Sequence, residues 1–459
     1  MKPQPYPRYR SSGVEWLGDV PEHWEVKRLK ASATCWVSNV DKVPAEDELP
    51  VRLCNYTDVY YHDYITPDMQ LMETTATADE IRRFGLWVGD VIITKDSEEW
   101  TDIAVPALVK KSAPDLVCGY HLAIIRSHAK ALFGDYLLRA FQSCAVNQQF
   151  QVAASGVTRY GLPKASIGDA WIPLPEIAEQ HAIATFLDRE TGRVDRLVAK
   201  KRELIERLKE KRTALISRTV TRGLPAEAAR VAGYPESPPL KPSGIEWIGD
   251  VPVHWEVIPL FRIAETIQTG PFGSQLHSAD YVEGGVPLIN PAHIVANRLV
   301  PDELSAVDES TAIRLSRHRL REGDIVMARR GEIGRCAVVG PKEVGWLCGT
   351  GSLVIRLRDS NSTYLATIIS GAGFSGLLEL NAVGTTMLNL NPTIVGRMFV
   401  PVPPHPEQTA IAAYLDKETA KLDALVGKVE EAVERLQEYR TALITAAVTG
   451  KIDVRSRHR

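Results

Sequence analysis

The stretch Ser12-Gly13-Val14-Glu15-Trp16-Leu17-Gly18-Asp19-Val20-Pro21-Glu22-His23-Trp24-Glu25-Val26 is written twice in this chain. It returns as Ser243-Gly244-Ile245-Glu246-Trp247-Ile248-Gly249-Asp250-Val251-Pro252-Val253-His254-Trp255-Glu256-Val257. A second stretch, Pro175-Glu176-Ile177-Ala178-Glu179-Gln180-His181-Ala182-Ile183-Ala184-Thr185-Phe186-Leu187-Asp188, is matched by Pro403-Pro404-His405-Pro406-Glu407-Gln408-Thr409-Ala410-Ile411-Ala412-Ala413-Tyr414-Leu415-Asp416. Between these frames the two halves differ widely. A duplicated scaffold with two diverged inserts suggests one molecule that reads two different things at a fixed separation.

Each second frame opens a helical segment, residues 175–222 and 403–450. Proline is absent after the opening turn, and both are rich in the strong helix formers Glu, Lys, Arg, Ala and Leu. Val194, Leu197, Lys201, Leu204, Leu208, Lys211 and Leu215 recur by threes and fours. So do Leu422, Leu425, Val429, Ala432, Leu436, Tyr439 and Leu443, each at one constant offset from its counterpart. That spacing predicts a coiled-coil seam, with the stems of Lys201 and Lys211 lying along it. Two helices of identical register most simply pack against each other, here antiparallel; the rival arrangement is one amphipathic helix on each globular domain. About 45 helical residues span roughly 65–70 Å.

The inserts read differently. Val91-Ile92-Ile93-Thr94 follows Gly89-Asp90, and Leu122-Ala123-Ile124-Ile125 follows Cys118-Gly119. In the second half Ile325-Val326-Met327 follows Gly323-Asp324, and Leu353-Val354-Ile355 follows Cys348-Gly349. Such runs are strands bounded by turns, so the inserts are diverged copies of one mixed fold. The expected fold class is α+β: two mixed α/β domains, 1–174 and 243–402, joined by two long antiparallel coiled-coil helices in a pseudo-twofold repeat. Residues 223–242 form a turn-rich connector, and 451–459 a basic tail.

With 459 residues the chain has room for two or three domains. Its six cysteines form no CxxC pair, which argues against a structural zinc site or a disulfide framework. No apolar run approaches membrane-spanning length, and Met1–Arg10 holds prolines and basic residues without an apolar stretch. A cytoplasmic protein with no membrane partner is expected. The net charge of −3 means that any nucleic-acid binding draws positive surface from a partner.

These frames resemble the specificity (S) subunit of type I restriction–modification systems. Gly13 to Trp24 looks like that family's entrance into a target recognition domain. Ile172-Pro173-Leu174-Pro175 with Glu179-Gln180, and Val400-Pro401-Val402-Pro403 with Glu407-Gln408, resemble its exits into conserved helices. Thr269-Gly270-Pro271-Phe272-Gly273-Ser274-Gln275-Leu276 and Leu388-Asn389-Leu390-Asn391-Pro392-Thr393-Ile394 are similar to stretches common in such domains. The resemblance implies a non-catalytic reader of double-stranded DNA, each domain taking half of a bipartite asymmetric site and the helices setting the unread gap. It implies two methyltransferase subunits using S-adenosylmethionine, and motor-nuclease subunits using ATP and Mg, with no cofactor held by this chain. The alternative is an orphan DNA-binding or adaptor protein of the same fold.

Major-groove reading calls for Arg or Lys at guanine and Asn or Gln at adenine. Arg329, Arg330 and Arg335 follow a predicted strand beside a glycine turn; surface ion pairs are their alternative use. Gln268, Ser274 and Gln275 lie on a Gly/Pro-rich loop, and Thr385, Thr386, Asn389 and Asn391 precede the exit helix. In the first insert Lys95, Asp96, Glu98, Trp100 and Thr101 follow the equivalent strand, where an acid is able to accept from cytosine. Ser155, Thr158, Arg159 and Tyr160 align with the Thr385–Leu388 stretch; all of these polar residues also serve as ordinary turn formers. Trp16, Trp24, Trp247 and Trp255 are expected in the cores, with His23 and His254 packed or hydrogen-bonded beside them.

Catalytic motifs are weak. Gly371-Ala372-Gly373-Phe374-Ser375-Gly376 fits GxGxxG by letter, but its sister segment lacks the glycines. Asp19 with Glu25-Val26-Lys27 loosely resembles a metal-nuclease pattern, and the other copy lacks the lysine. Asn391-Pro392-Thr393-Ile394 falls short of an amino-methyltransferase motif, and no Walker A sequence is present. The pattern argues against an enzyme.

Overall fold

The computed structural model describes residues 4–382 and 389–455. The chain gathers into two compact units. One holds the chain up to Arg202 together with the chain from Glu430 onward, and the other is Glu203–Val429. This division passes through both long helices, Ile177–Arg222 and His405–Val448. Each unit therefore owns one insert and a part of each helix, a grouping that the consecutive blocks expected from the sequence do not describe. The cause is apolar burial: each insert packs on stripes from both helices.

In the first unit a five-stranded sheet runs in the order Ala33–Val37, Leu122–Ser127, Val91–Thr94, Pro106–Val109, Tyr64–Ile65. A three-stranded sheet (Leu116–Cys118, Leu49–Cys54, Met72–Ala76) lies beside it in the same insert. Ile93, Ile125, Tyr136 and Phe150 bury against Ile183 and Leu187 of the first helix and Leu443, Ile444 and Ala447 of the second. Further along, Val194 and Val198 meet Val433. Rising numbers on one helix meet falling numbers on the other, so within this unit the helices run antiparallel. Arg440 crosses between them, with Nε 3.0 Å from Asp195 and Nη2 2.8 Å from Asp63.

The second unit repeats the plan. Its central sheet is ordered Ala264–Thr269, Ser352–Leu357, Ile325–Ala328, Cys336–Val338. Ile325, Ile355, Tyr364 and Phe374 pack on Ile411 and Leu415 of the second helix and on Ile216 and Val220 of the first. Arg212 reaches Asp423 at 2.9 Å, the counterpart of the Arg440–Asp195 pair.

Matched hydrogen bonds explain why the frames repeat. Gln180 Oε1 accepts from Phe133 N at 2.8 Å and its Nε2 donates to Pro175 O at 2.9 Å. Gln408 makes the same bonds to Asn361 N and Pro403 O at 2.8 and 2.9 Å. Tyr136 Oη donates to Pro173 O, and Tyr364 Oη to Pro401 O. The buried carboxylates Glu179 and Glu407 hold His23 and His254 at 3.0 and 2.9 Å. Both helices end at a glycine in the left-handed region, Gly223 (φ +83°) and Gly450 (φ +72°), beneath Trp255 and Trp24 respectively.

Trp24 and Trp255 are fully buried, as expected of core anchors. Trp16 is not: it is 40% exposed, while Trp247 is half-buried against Phe374. A Cβ at Gly373 would stand 2.8 Å from the Trp247 ring, so that glycine serves packing and its segment is a helix, Ala372–Asn381. The seam also departs from expectation at alternate steps. Leu197 is 49% exposed, and Leu204 and Leu425 face outward too, whereas Val198 and Ile205 are buried and Val426 is half-buried. Val194, Leu208, Val429 and Leu443 are buried, and Leu215, Leu422 and Leu436 half-buried. Steps of four then three, rather than three then four, put the β-branched residues inward. The connector contains a helix, Ala226–Ala232, and a strand, Leu240–Pro242, that pairs with Asp250–Pro252. Among the described residues no single helix is long and apolar enough to cross a membrane, and no three His, Cys, Asp or Glu side chains gather as metal ligands.

Candidate nucleic-acid interface

In each unit one strand end gathers the variable loops. In the first, Val91–Thr94 delivers Lys95, whose N–H donates to His121 O at 2.8 Å and whose carbonyl accepts from Leu162 N at 2.8 Å. In the second, Ile325–Ala328 delivers Arg329, whose N–H donates to Gly351 O at 3.0 Å and whose carbonyl accepts from Leu390 N at 3.0 Å. The backbone frame is the same and the side chains it presents are not.

An ion pair anchors the other end of each of these strands. Arg126 grips Asp90 through Nε and Nη2 at 2.8 and 2.7 Å, and Arg356 grips Asp324 at 2.8 and 2.7 Å. Both aspartates are buried and also accept from a backbone N–H, that of Trp87 or Arg321, at 2.8 Å. Such two-pronged pairing ties the start of each strand, the end opposite Lys95 and Arg329, to the neighbouring strand.

The first unit brings its candidates together. Asp96-Ser97 pairs with Tyr160-Gly161, and Ser155 bonds Gly161 in both directions, so Thr158 and Arg159 stand on an exposed hairpin tip. Trp100 and Thr101 follow in a short 3-10 turn, Trp100 exposed and the Thr101 carbonyl accepting from Gln151 Nε2. Asp96 is already occupied. Lys95 Nζ lies 2.8 Å from its Oδ1 and His121 Nδ1 2.5 Å from its Oδ2. Burial works to raise the Asp96 carboxyl, but the bonds to Lys95 and His121 outweigh it and hold it below the ordinary carboxylate value. A cytosine would have to displace these partners, so Asp96 positions Lys95 and His121 instead.

His121 did not emerge from the sequence. It sits at φ +68°, an uncommon conformation for a residue with a side chain, and its ring lies tilted against Tyr120, centroids 3.8 Å apart. Tyr56, Tyr60 and Tyr61 on helix Tyr56–Tyr61 were missed as well. Tyr60 Oη bonds Asp102, Tyr61 is exposed, and burial raises the Tyr56 phenol while nearby Arg159 opposes the rise. Their only sequence signal is an aromatic cluster after a strand-ending Asn55.

In the second unit Arg329 Nε donates to Asn389 Oδ1 at 2.9 Å, which joins two candidate loops. Burial, then Arg330, lowers the Arg329 guanidinium below its usual value. Arg330 is exposed, and Arg335 is tied to Glu332 and to Pro291 O. Gln268 Nε2 donates to Arg317 O at 2.5 Å, and Gln275 gives its carbonyl to Arg314 and buries its side-chain oxygen, leaving Ser274 exposed. Asn391 is a helix cap, its Oδ1 accepting from Ile394 N at 2.9 Å. Thr385 and Thr386 lie outside the described residues. Arg329, Arg330, Ser274 and Asn389 therefore remain the candidates with groups free to face a ligand.

Residues 252–435 match the family described as Type I restriction modification DNA specificity domain. The putative type I restriction enzyme MjaX specificity subunit of Methanocaldococcus jannaschii is 22% identical over 450 residues, 96% of each chain. The type I restriction enzyme EcoBI specificity subunit of Escherichia coli is 22% identical over 299 residues, 65% of this chain and 62% of that one. Among solved structures, a chain of a type I R-M system studied for its complex assembly and conformational transition aligns with a TM-score of 0.64 at 19% identity, covering 94% of this chain and 99% of that one. The HsdS subunit from Thermoanaerobacter tengcongensis aligns with a TM-score of 0.50 at 18% identity, covering 94% and 98%. With the repeated frames, the two inserts and the paired helices all in place, the chain has the fold of the solved HsdS subunit, and residues 252–435 carry the similarity to the type I DNA specificity domain.

Proposed function

We propose that this chain is the DNA-reading subunit of a type I restriction–modification complex, and that each unit reads one half of a bipartite, asymmetric site. The observation that carries this is the pair of equivalent strand ends bearing unlike side chains. One presents Lys95 beside His121, with Trp100 and Arg159 close by in the same unit; the other presents Arg329 on Asn389, followed by exposed Arg330. Identical frames place the two readers equivalently, and unlike side chains make the half-sites unlike. Cationic side chains at these ends reach either phosphate or guanine edges, and only the latter specify sequence.

The net charge of −3 supports a reader that relies on partners for phosphate contacts. In this reading two methyltransferase subunits dock on the chain and carry S-adenosylmethionine, and motor-nuclease subunits carry ATP and Mg. The present chain contributes no catalytic group. The test is selection of bound sequences from a random DNA pool, using the chain with and without its methyltransferase partner. A motif of two unlike halves with a constant gap, requiring this chain, supports the proposal. A motif obtained from the partner alone contradicts it.

A further inference from the structure

The two units differ at one place where their frames match, and the difference leaves a cavity. In the first unit Arg139, on helix Gly134–Gln142, is 2% exposed. Its Nε and Nη2 lie 3.2 and 2.7 Å from Asp188 Oδ1, Nη2 also donates to Tyr64 Oη at 2.9 Å, and Nη1 to Gln142 at 2.7 Å. The matching helix of the second unit, Ser362–Ile369, carries Thr367 in the arginine's place, while Asp416 stands where Asp188 stands. The carboxylate is kept and its cation is gone.

A cavity of about 260 Å³ opens there, lined by Thr367, Ser370, Asp416, Thr419, Asn297 and Arg212 among others. Among the described residues no side chain pairs with the Asp416 carboxylate. The hydroxyls that line the cavity have already committed their protons: Thr367 Oγ1 donates to Thr363 O, Thr419 Oγ1 to Leu415 O and Ser370 Oγ to Ala366 O, at 2.8, 2.7 and 2.9 Å. A hydroxyl has one proton, so these oxygens face the cavity as acceptors. Arg212, the cation in the wall, is held by Asp423 at 2.9 Å. Ile216, Ala412 and Leu415 supply apolar wall along which a hydrocarbon stem fits.

We propose that this cavity binds a guanidinium group supplied from outside the chain. A planar cation with five donors suits an exposed carboxylate in a cavity whose wall also presents hydroxyl acceptors, and the sister unit fills the same place with its own guanidinium. The proposal is independent of the DNA-reading role. The full-length chain is titrated calorimetrically with agmatine, with n-pentylamine, and with an end-capped glycyl-arginyl-glycine peptide. Agmatine saturates the wild type and binds at least about tenfold more tightly than the amine, which carries the charge without the fork. Asp416→Asn weakens agmatine at least about tenfold, and Thr367→Arg abolishes its binding by supplying a tethered guanidinium. Binding of the peptide as well as agmatine identifies an arginine of a partner protein as the source; agmatine alone identifies a small guanidine metabolite. No saturable heat with wild type, or equal binding by wild type and Asp416→Asn, overturns the proposal whether or not Thr367→Arg folds.

Discussion

Replacing Gln180 by leucine tests the account of the repeated Glu-Gln motif. The side chain is 0% exposed and serves three backbone groups: it accepts from Phe133 N at 2.8 Å and donates to Pro175 O and Ala131 O at 2.9 and 3.0 Å. Leucine keeps the volume and strands all three. At about 1–3 kcal/mol for each buried group left unpaired, less about 1 kcal/mol regained from apolar burial, the cost is about 2–8 kcal/mol. The sister change Gln408→Leu strands two groups, Asn361 N and Pro403 O, and is expected to cost about 1–3 kcal/mol less. A two-unit chain need not unfold in one step, so the assay is hydrogen exchange across a urea series, read peptide by peptide. Gln180→Leu lowers protection in the segment joining 131–142 to the first helix, and Gln408→Leu in the segment joining 359–369 to the second. A loss below about 1 kcal/mol for Gln180→Leu, or a loss of equal size in both units from either change, would show that these glutamines do not hold the inserts to the helices.

Three further outcomes follow from the same contacts. Arg356→Ala leaves Asp324, 1% exposed, with only the Arg321 N–H; a cost of about 3–5 kcal/mol falls on the second unit, and sequence selection shows its half-site lost while the other persists. Asp96, held below the ordinary carboxylate value of about 3.9 by Lys95 and His121 against the effect of burial, contributes stability that is present above that value and lost as pH falls through its lowered one. Wild-type protection of the 95–102 and 155–161 loops therefore declines in acid, and Asp96→Asn, measured by hydrogen exchange at stepped pH, is already low at neutrality and shows no such step. Inserting seven residues at matched points of both helices, after Arg202 and after Glu430, adds about 10 Å to each. Sequence selection is expected to return unchanged half-sites with a gap longer by up to about three base pairs, and altered half-sites would count against a ruler made of helices.

The duplicated architecture was legible because its repeated letters do the same work twice. Trp24 and Trp255 are buried, Glu179 and Glu407 hold a histidine, and Gln180 and Gln408 bind backbone. The seam was legible in period and not in phase. Leucine stands at one step and a β-branched residue at the next, and only packing shows that Val198 and Ile205 turn inward while Leu197 and Leu204 do not. Trp16 shares its motif with Trp247, yet motif identity carries no information on exposure. The candidate loops were placed at strand ends by pattern alone, but the assignment of individual side chains required hydrogen bonds between distant segments. Asn391 caps a helix, Gln268 binds Arg317 O, and Asp96 is closed by its own neighbours. His121 owes its place to a backbone conformation that no local letter announces.

Two equivalent strand ends that read DNA independently leave a signature in a paired experiment. Single-molecule mapping of adenine methylation is made in a host expressing the methyltransferase partner with wild-type chain, then with Arg329→Ala combined with Arg330→Ala. Independent reading gives a bipartite motif in which the substitutions relax only the half read by the second unit, with the other half and the gap intact. Relaxation of both halves together, or an unchanged motif, would contradict it.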